Sequence, residues 1–147
     1  KSMIAQIMRR NKGVVTRYAI WNEPDSDFFL PPKALSPKKQ DRDVELTKRI
    51  IREKYVPMCQ AAQEAAREID PNIQILTIGS HREFFSGEGW TEWCFEAGIA
   101  KYTDGLVIHT YPSPYQGGGT LEAQWIEYLN RLLPLMKKHK LDVPVWV

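Results

Sequence analysis

Residues 14–24, VVTRYAIWNEP, decide the fold of this chain. Val14 to Trp21 is rich in β-branched and aromatic residues, which favour a buried strand. This stretch runs directly into Asn22, Glu23 and Pro24, which are polar or turn-forming residues. The sequence therefore predicts a strand that ends in a loop carrying an amide and a carboxylate.

Three more stretches of the same kind follow, and helical patterns separate them. The further predicted strands are Ile73 to Gly79, Leu106 to Tyr111 and Val143 to Val147. Apolar residues at helical spacing predict helices over Met3 to Met8, Val44 to Ile69, Glu88 to Ala97 and Leu121 to His139. Strict alternation of helix and strand predicts an α/β fold, in which a parallel sheet of (β/α) repeats is covered by helices.

Prolines and glycines mark the irregular points of this pattern. Pro57 lies inside the second helical pattern, where we expect a kink or a fresh helix start, and Pro134 is a second possible kink. Residues 25–41 are predicted to be loop. Gly98 is a candidate for the left-handed residue that ends a helix.

The composition of the chain argues against several classes of function. The net charge is only +2 and the basic residues are spread out, so we expect no nucleic-acid partner. Cys59 and Cys94 belong to no C-x-x-C pattern, and we expect two buried thiols rather than a zinc site. No apolar run is long enough to span a membrane. Because Lys1 lies in an apparent helix, we expect sequence ahead of it, and secreted and cytoplasmic locations both stay open.

Polar clusters follow each predicted strand. They are Asn22-Glu23, Ser80-His81-Arg82-Glu83, His109-Thr110-Tyr111 and, within the last strand, Trp146. In parallel α/β proteins the carboxyl ends of the strands meet at one edge, where functional groups collect. The sequence therefore predicts one site at this edge.

The stretch Tyr18-Ala19-Ile20-Trp21-Asn22-Glu23-Pro24-Asp25 resembles the Asn-Glu-Pro signature of clan A glycoside hydrolases. These retaining enzymes, which include cellulases, mannanases, β-xylosidases and β-glucosidases, are (β/α)₈ barrels. Ile108-His109-Thr110-Tyr111-Pro112 is similar to the His-x-Tyr motif of the family, and Val143-Pro144-Val145-Trp146-Val147 to its seventh strand. The resemblance implies that residues 1–147 form one domain, a partial TIM barrel from about the third helix to the seventh strand. A complete barrel takes about 250 residues.

The resemblance also implies roles for single residues. Glu23 would be the general acid/base in retaining hydrolysis of β-linked glycans or glycosides. Asn22, His109, Tyr111 and Trp146 would bind the carbohydrate substrate. The nucleophilic glutamate would lie one to three residues beyond Val147, so we expect the chain alone to be inactive. The family chemistry needs no cofactor and no metal.

Physical chemistry is compatible with this assignment. An acid that protonates a leaving oxygen near neutral pH has to be held protonated by an apolar wall or a nearby carboxylate. Trp21 and Phe28 or Phe29 are candidates for that wall. Tyr111 is a candidate donor to the nucleophile.

Several alternatives stay open. Glu23 could be an ordinary strand-end carboxylate, and His109 could be a hydrogen-bonded histidine that touches no sugar. His81 and Glu83 could be solvated loop residues. Trp90, Trp93 and Trp125 fall on helices, which favours packing. A metal site from Glu23, His81 and His109 lacks the usual His-x-His or His-Glu-x-x-His spacing. The rival function is a carbohydrate-binding fragment or pseudoenzyme that binds sugar without turnover.

A four-stranded half-barrel leaves two sheet edges open, at the strands that begin near Val14 and end at Val147. We also expect one side of its inner layer to be exposed, with Ile20, Ile78 and Ile108 on it. Bare edges and apolar faces favour association, so the sequence predicts a homo-oligomer unless other segments cover them.

Overall fold

The computed structural model describes residues 3–27, 29–35, 41–80, 89–109 and 120–146. Its strands form one sheet in the order β1-β2-β3-β4, and all neighbouring strands are parallel. The strands are β1 (Arg17–Ala19), β2 (Gln74–Ser80), β3 (Gly105–Ile108) and β4 (Val145–Trp146). The predicted α/β fold with a parallel sheet is confirmed, although β1 and β4 are shorter than predicted.

Helices precede and connect the strands. They are α1 (Met3–Arg10), α2 (Val44–Ile50), α3 (Val56–Ile69), α4 (Trp90–Glu96) and α5 (Leu121–Lys138). Short 3₁₀ helices at Pro32–Leu35 and Ile99–Tyr102 were not predicted, and the first lies in the stretch predicted to be loop. Gly98 has φ +87°, a left-handed conformation that glycine adopts at little cost, and it follows α4 as predicted.

A π-helical turn, Ile51–Tyr55, joins α2 to α3. The backbone N–H of Val56 donates to Ile51 O, five residues back. Pro57 lies in the first turn of α3, where its missing N–H is tolerated. The predicted fresh helix start at Pro57 agrees with α3 beginning at Val56, whereas the π turn before it was not predicted. Pro134, by contrast, lies within the single helix α5.

One face of the sheet packs against the helices and forms the core. Cys59 and Cys94 are buried there as free thiols, as predicted. The expectation that Ile20, Ile78 and Ile108 lie on an exposed inner layer is wrong. All three are buried in this core.

The opposite face of the sheet carries different residues. Ala19 is exposed, and Val107 is half-buried. Trp146 is 37% exposed, and the centroid of its ring lies 4.4 Å from the guanidinium carbon of Arg17, which is over the ring face. Strand alternation explains the difference, because Leu106 and Ile108 point to the helices while Val107 points away.

Asp104 joins α3, β2 and the start of β3 at the amino end of the sheet. Its carboxylate accepts from the Arg67 guanidinium and, at 2.8 Å, from Ile75 N. Arg67 also donates to Ile73 O at 2.7 Å, and Asp104 N donates to Ile75 O at 2.8 Å. A helix, a strand and a loop are therefore fixed to one another by charge-assisted bonds.

Within the described part of the chain, no helix combines the length and the apolar character that crossing a membrane requires.

Asp104→Ala should lower the free energy of unfolding by about 1–3 kcal/mol, because it leaves the amide of Ile75 without its acceptor. Glu127→Ala is the matched control, since Glu127 also pairs with an arginine, Arg131, but at an exposed surface. Glu127→Ala should lower the free energy of unfolding by less than about 0.5 kcal/mol. Urea unfolding of both variants gives the comparison, and equal losses would contradict the anchoring role of Asp104.

Candidate functional site

Glu23 and His109 meet at the carboxyl edge of the sheet. Glu23 follows β1 and His109 follows β3, two strands away. Oε1 of Glu23 lies 3.2 Å from Nδ1 of His109, within hydrogen-bond distance. The Glu23 side chain is 15% exposed and that of His109 24%. The structure thus brings together two of the predicted site residues, with limited access to water.

The turn that carries Glu23 has an unusual backbone. Trp21 has φ +67° and Glu23 has φ +49°, left-handed values that non-glycine residues seldom adopt. Ser26 stabilises the turn, since its N–H and its hydroxyl both donate to Glu23 O, at 3.0 and 2.6 Å. Left-handed residues of this kind cluster at functional sites, where the surrounding structure holds them in place.

Ser80, the last residue of β2, connects both sides of the site. Its hydroxyl donates to Oδ2 of Asp25 at 2.7 Å, and both side chains are buried. Its carbonyl accepts from His109 N at 3.1 Å. The residue after β3 and the loop after β1 are therefore both fixed to the end of β2.

Gly79 lies under the turn. A Cβ atom at this position would lie 3.6 Å from Cδ of Pro24 and 3.8 Å from Glu23 N, which are ordinary van der Waals distances, so the available space does not by itself require a glycine. Gly79 has φ +51° and its neighbour Ile78 has φ +85°. The pairing of β2 with β3 shifts register between Ile78 and Ser80, as in a β-bulge. Bulges of this kind re-aim side chains next to functional sites.

Tyr55, at the end of the π turn, reaches the ends of β1 and β2 from the helical layer. Its hydroxyl donates to Ile20 O at 3.3 Å and accepts from Ile78 N at 2.9 Å. Burial raises the pKa of Tyr55 well above its usual value, the nearby Cys59 and Cys94 thiols raise it further, and the Ile78 amide acts in the opposite direction. The hydroxyl is therefore neutral and able to donate.

A row of aromatic rings leads from the surface to the core beneath the site. Trp21, 47% exposed, packs edge-on against Phe29 with ring centroids 5.3 Å apart. Phe29 contacts Tyr55 at 5.9 Å, and Tyr55 contacts Trp90 at 5.6 Å. Trp21 and Phe29 thus form an apolar surface at the turn of Glu23, and their role as a wall that keeps the Glu23 carboxyl protonated stays a prediction.

The other predicted site residues differ in how the structure places them. Asn22 is exposed beside Glu23. Trp146 lies on the sheet face that points away from the core, with one face of its ring against Arg17. Its role as a sugar contact stays a prediction.

Several candidates lie outside the described residues. They are Tyr111, His81, Glu83 and Phe28. The alternative metal site, which requires His81, is therefore not tested. Among the candidates on helices, Trp90 is buried in the core, as the packing alternative expected.

Two residues that organise the site, Tyr55 and Asp25, were not singled out as functional from the sequence. Tyr55 was assigned only to the apolar face of a helix and Asp25 only to a loop, whereas Ser80 was named among the polar clusters at the strand ends but without a role of its own. A polar residue two positions after Glu23 and a serine at the end of the next strand were the available signals for Asp25 and Ser80. Nothing in the helical periodicity distinguishes a tyrosine hydroxyl that reaches the sheet.

The buried thiol of Cys59 makes the stability of the fold fall at alkaline pH. Burial raises the pKa of Cys59 from 9.0 to about 12. Above pH 9 the unfolded chain loses this proton while the folded chain keeps it, so stability falls as pH rises through this window. At pH 10 the expected loss from this thiol is about 1.4 kcal/mol. Cys59→Ala should lose less stability than the wild type between pH 8 and pH 10, as measured by urea unfolding, and parallel losses would contradict the assignment.

Comparison with protein families, curated proteins and solved structures finds no match to this chain.

Proposed function

We propose that this chain is part of a retaining glycoside hydrolase, in which Glu23 is the general acid/base. The observation that carries the proposal is the contact between Glu23 and His109, 3.2 Å apart at the carboxyl edge of a parallel sheet. A half-buried carboxyl group with a histidine partner is suited to giving and taking a proton. The Asn-Glu-Pro and His-x-Tyr resemblances supply the substrate class, β-linked glycans or glycosides.

The surroundings of Glu23 support this role. The Trp21 and Phe29 rings pack against each other and offer an apolar surface at the turn that carries Glu23. Asn22 is exposed next to Glu23, and in this proposal it hydrogen-bonds a sugar hydroxyl. Such a bond contributes most to rate if it strengthens in the transition state.

The sheet supports a partial TIM barrel as the setting of this site. Its strand order follows the chain order without reversal, whereas doubly wound open sheets reverse at a switch point. The core cluster on one face, with Val107 and Trp146 on the other, also fits a barrel wall with helices outside. Within the proposal, further strands would cover the open face.

A retaining mechanism needs a second carboxylate about 5–5.5 Å from the acid, to attack the anomeric carbon. The family resemblance places this nucleophile just after β4, beyond Val147. In the first step Glu23 would protonate the leaving oxygen while the nucleophile bonds to the anomeric carbon. In the second step Glu23 would take a proton from the water that releases the sugar.

Glu23→Gln, in a protein that joins this chain to the segment with the nucleophile, should nearly abolish hydrolysis of unactivated glycosides. Substrates with good leaving groups need little protonation, so their glycosylation step should be far less affected. The difference is measured as kcat/KM on both substrate classes, because kcat/KM reports the glycosylation step, whereas kcat on activated substrates should still fall since Glu23 also activates the water. Glu96→Gln is the control, because Glu96 is exposed on α4, away from the strand ends. An equal loss of kcat/KM on both substrate classes would contradict the role of Glu23 as the acid.

The 147-residue chain alone should not hydrolyse glycosides, because the proposed mechanism lacks its nucleophile there. Chromatographic product analysis after long incubation with β-linked oligosaccharides measures this. Hydrolysis that disappears in Glu23→Gln would show that the nucleophile lies within the chain. Saturable binding of sugar by a longer protein that never turns over would instead favour the rival, a carbohydrate-binding pseudoenzyme.

A further inference from the structure

The hydrogen-bond ladder between β1 and β2 changes at the end nearest Glu23. In a parallel pair the backbone bonds are evenly spaced and alternate between the strands. Ile20 N donates to Leu76 O at 2.9 Å, so the next regular bond would run from Ile78 N to Ile20 O. The Tyr55 hydroxyl stands between these two atoms instead, accepting from Ile78 N at 2.9 Å and donating to Ile20 O at 3.3 Å.

The backbone departs from strand geometry at the level of the inserted hydroxyl. Two hydrogen bonds in series hold the strands farther apart than one direct bond of about 2.9 Å. Ile78 has φ +85°, and Trp21, the residue after Ile20, has φ +67°. A β-branched residue adopts a positive φ only where its surroundings impose it.

The position of the hydroxyl is set by elements other than the two strands. The Tyr55 ring is fully buried and is packed between Phe29 and Trp90. Its backbone belongs to the π turn that precedes α3. The helical layer thus delivers a neutral hydroxyl to a fixed point in the sheet.

We propose that Tyr55 is a positioning residue, whose hydroxyl separates the ends of β1 and β2 and so sets the turn that holds Glu23 against His109. The catalytic meaning of this role rests on the proposed function, but the separation of the strands does not. Gly79 lies beneath the turn, and Ser80 ties Asp25 and His109 to the end of β2. A shift of the β2 end would therefore reach both sides of the site.

Tyr55→Phe tests the proposal, because it keeps the ring and removes only the hydroxyl. We expect the strands to close and Ile78 N to bond directly to Ile20 O. In isotope-labelled protein, a scalar coupling across this hydrogen bond, between the nitrogen of Ile78 and the carbonyl carbon of Ile20, should appear. The strong amide-to-Hα nuclear Overhauser effects within Trp21 and Glu23, which mark a positive φ, should weaken. The wild type should show these effects and no such coupling.

Tyr128→Phe is the matched control, since Tyr128 is a buried tyrosine on α5, and it should keep the wild-type signals. The proposal is overturned if the wild type already shows the coupling, or if Tyr55→Phe keeps the wild-type effects without gaining it. If Tyr55→Phe does not fold, the proposal is tested on the wild-type protein alone. A contact between the hydroxyl proton of Tyr55 and the amide proton of Ile78 is then expected, and its absence overturns the proposal.

Kinetics separates this proposal from the proposed function. In a protein that completes the site, Tyr55→Phe should lower kcat by about tenfold or more with little change in KM, as misplacement of a reacting group does. Unchanged kcat would overturn the positioning role. If the completed wild type hydrolyses no glycoside, the proposed function fails, while the coupling experiment still decides whether Tyr55 separates the strands.

Discussion

The candidate site depends first on the pairing of β2 with strands on both sides. Glu23 follows β1 and His109 follows β3, so the two side chains meet only because β2 holds both neighbours in register. Six of the seven residues of β2 are buried, as a central parallel strand requires. At its end, the Ser80 hydroxyl donates to Asp25 on one side and the Ser80 carbonyl accepts from His109 N on the other. The site is therefore a property of the sheet rather than of any one loop.

The two ends of the sheet are held by different chemistry, in accordance with their access to water. At the amino end the ion pair of Arg67 and Asp104 is partly exposed, with side chains 41% and 24% accessible, so water offsets the cost of the charges. At the carboxyl end the strands are held by hydrogen bonds of the Tyr55 and Ser80 hydroxyls, and both residues are buried. A hydroxyl satisfies its partners there without a charge of its own: Tyr55 bonds two backbone groups, and Ser80 donates to the buried carboxyl group of Asp25.

The sequence allowed the strands, their parallel order and the edge where Glu23 and His109 meet to be predicted, because apolar runs and the polar residues after them follow from burial. It did not allow the faces of Ile20, Ile78 and Ile108 to be predicted, since a continuous apolar run does not show which side of a strand faces the helices. The role of Tyr55 was equally hidden. Helical spacing predicts that a side chain points inward, but not which atoms its polar group will reach.

The π turn at Ile51–Tyr55 has a consequence for how this helix can change in length. A π turn accommodates one residue more than an α turn, and deletion of one residue there would restore a continuous α-helix. Because the extra residue is taken up within the turn itself, such a deletion would leave the faces of α2 and α3 nearly unchanged. A one-residue change in the regular part of either helix would instead rotate its two sides against each other by about 100°, and would turn either Tyr55 away from the strands or Thr47 and Ile50, now buried, out of the core. The π turn can therefore lose one residue while both helix faces stay in the core, provided that the residue lost is not Tyr55.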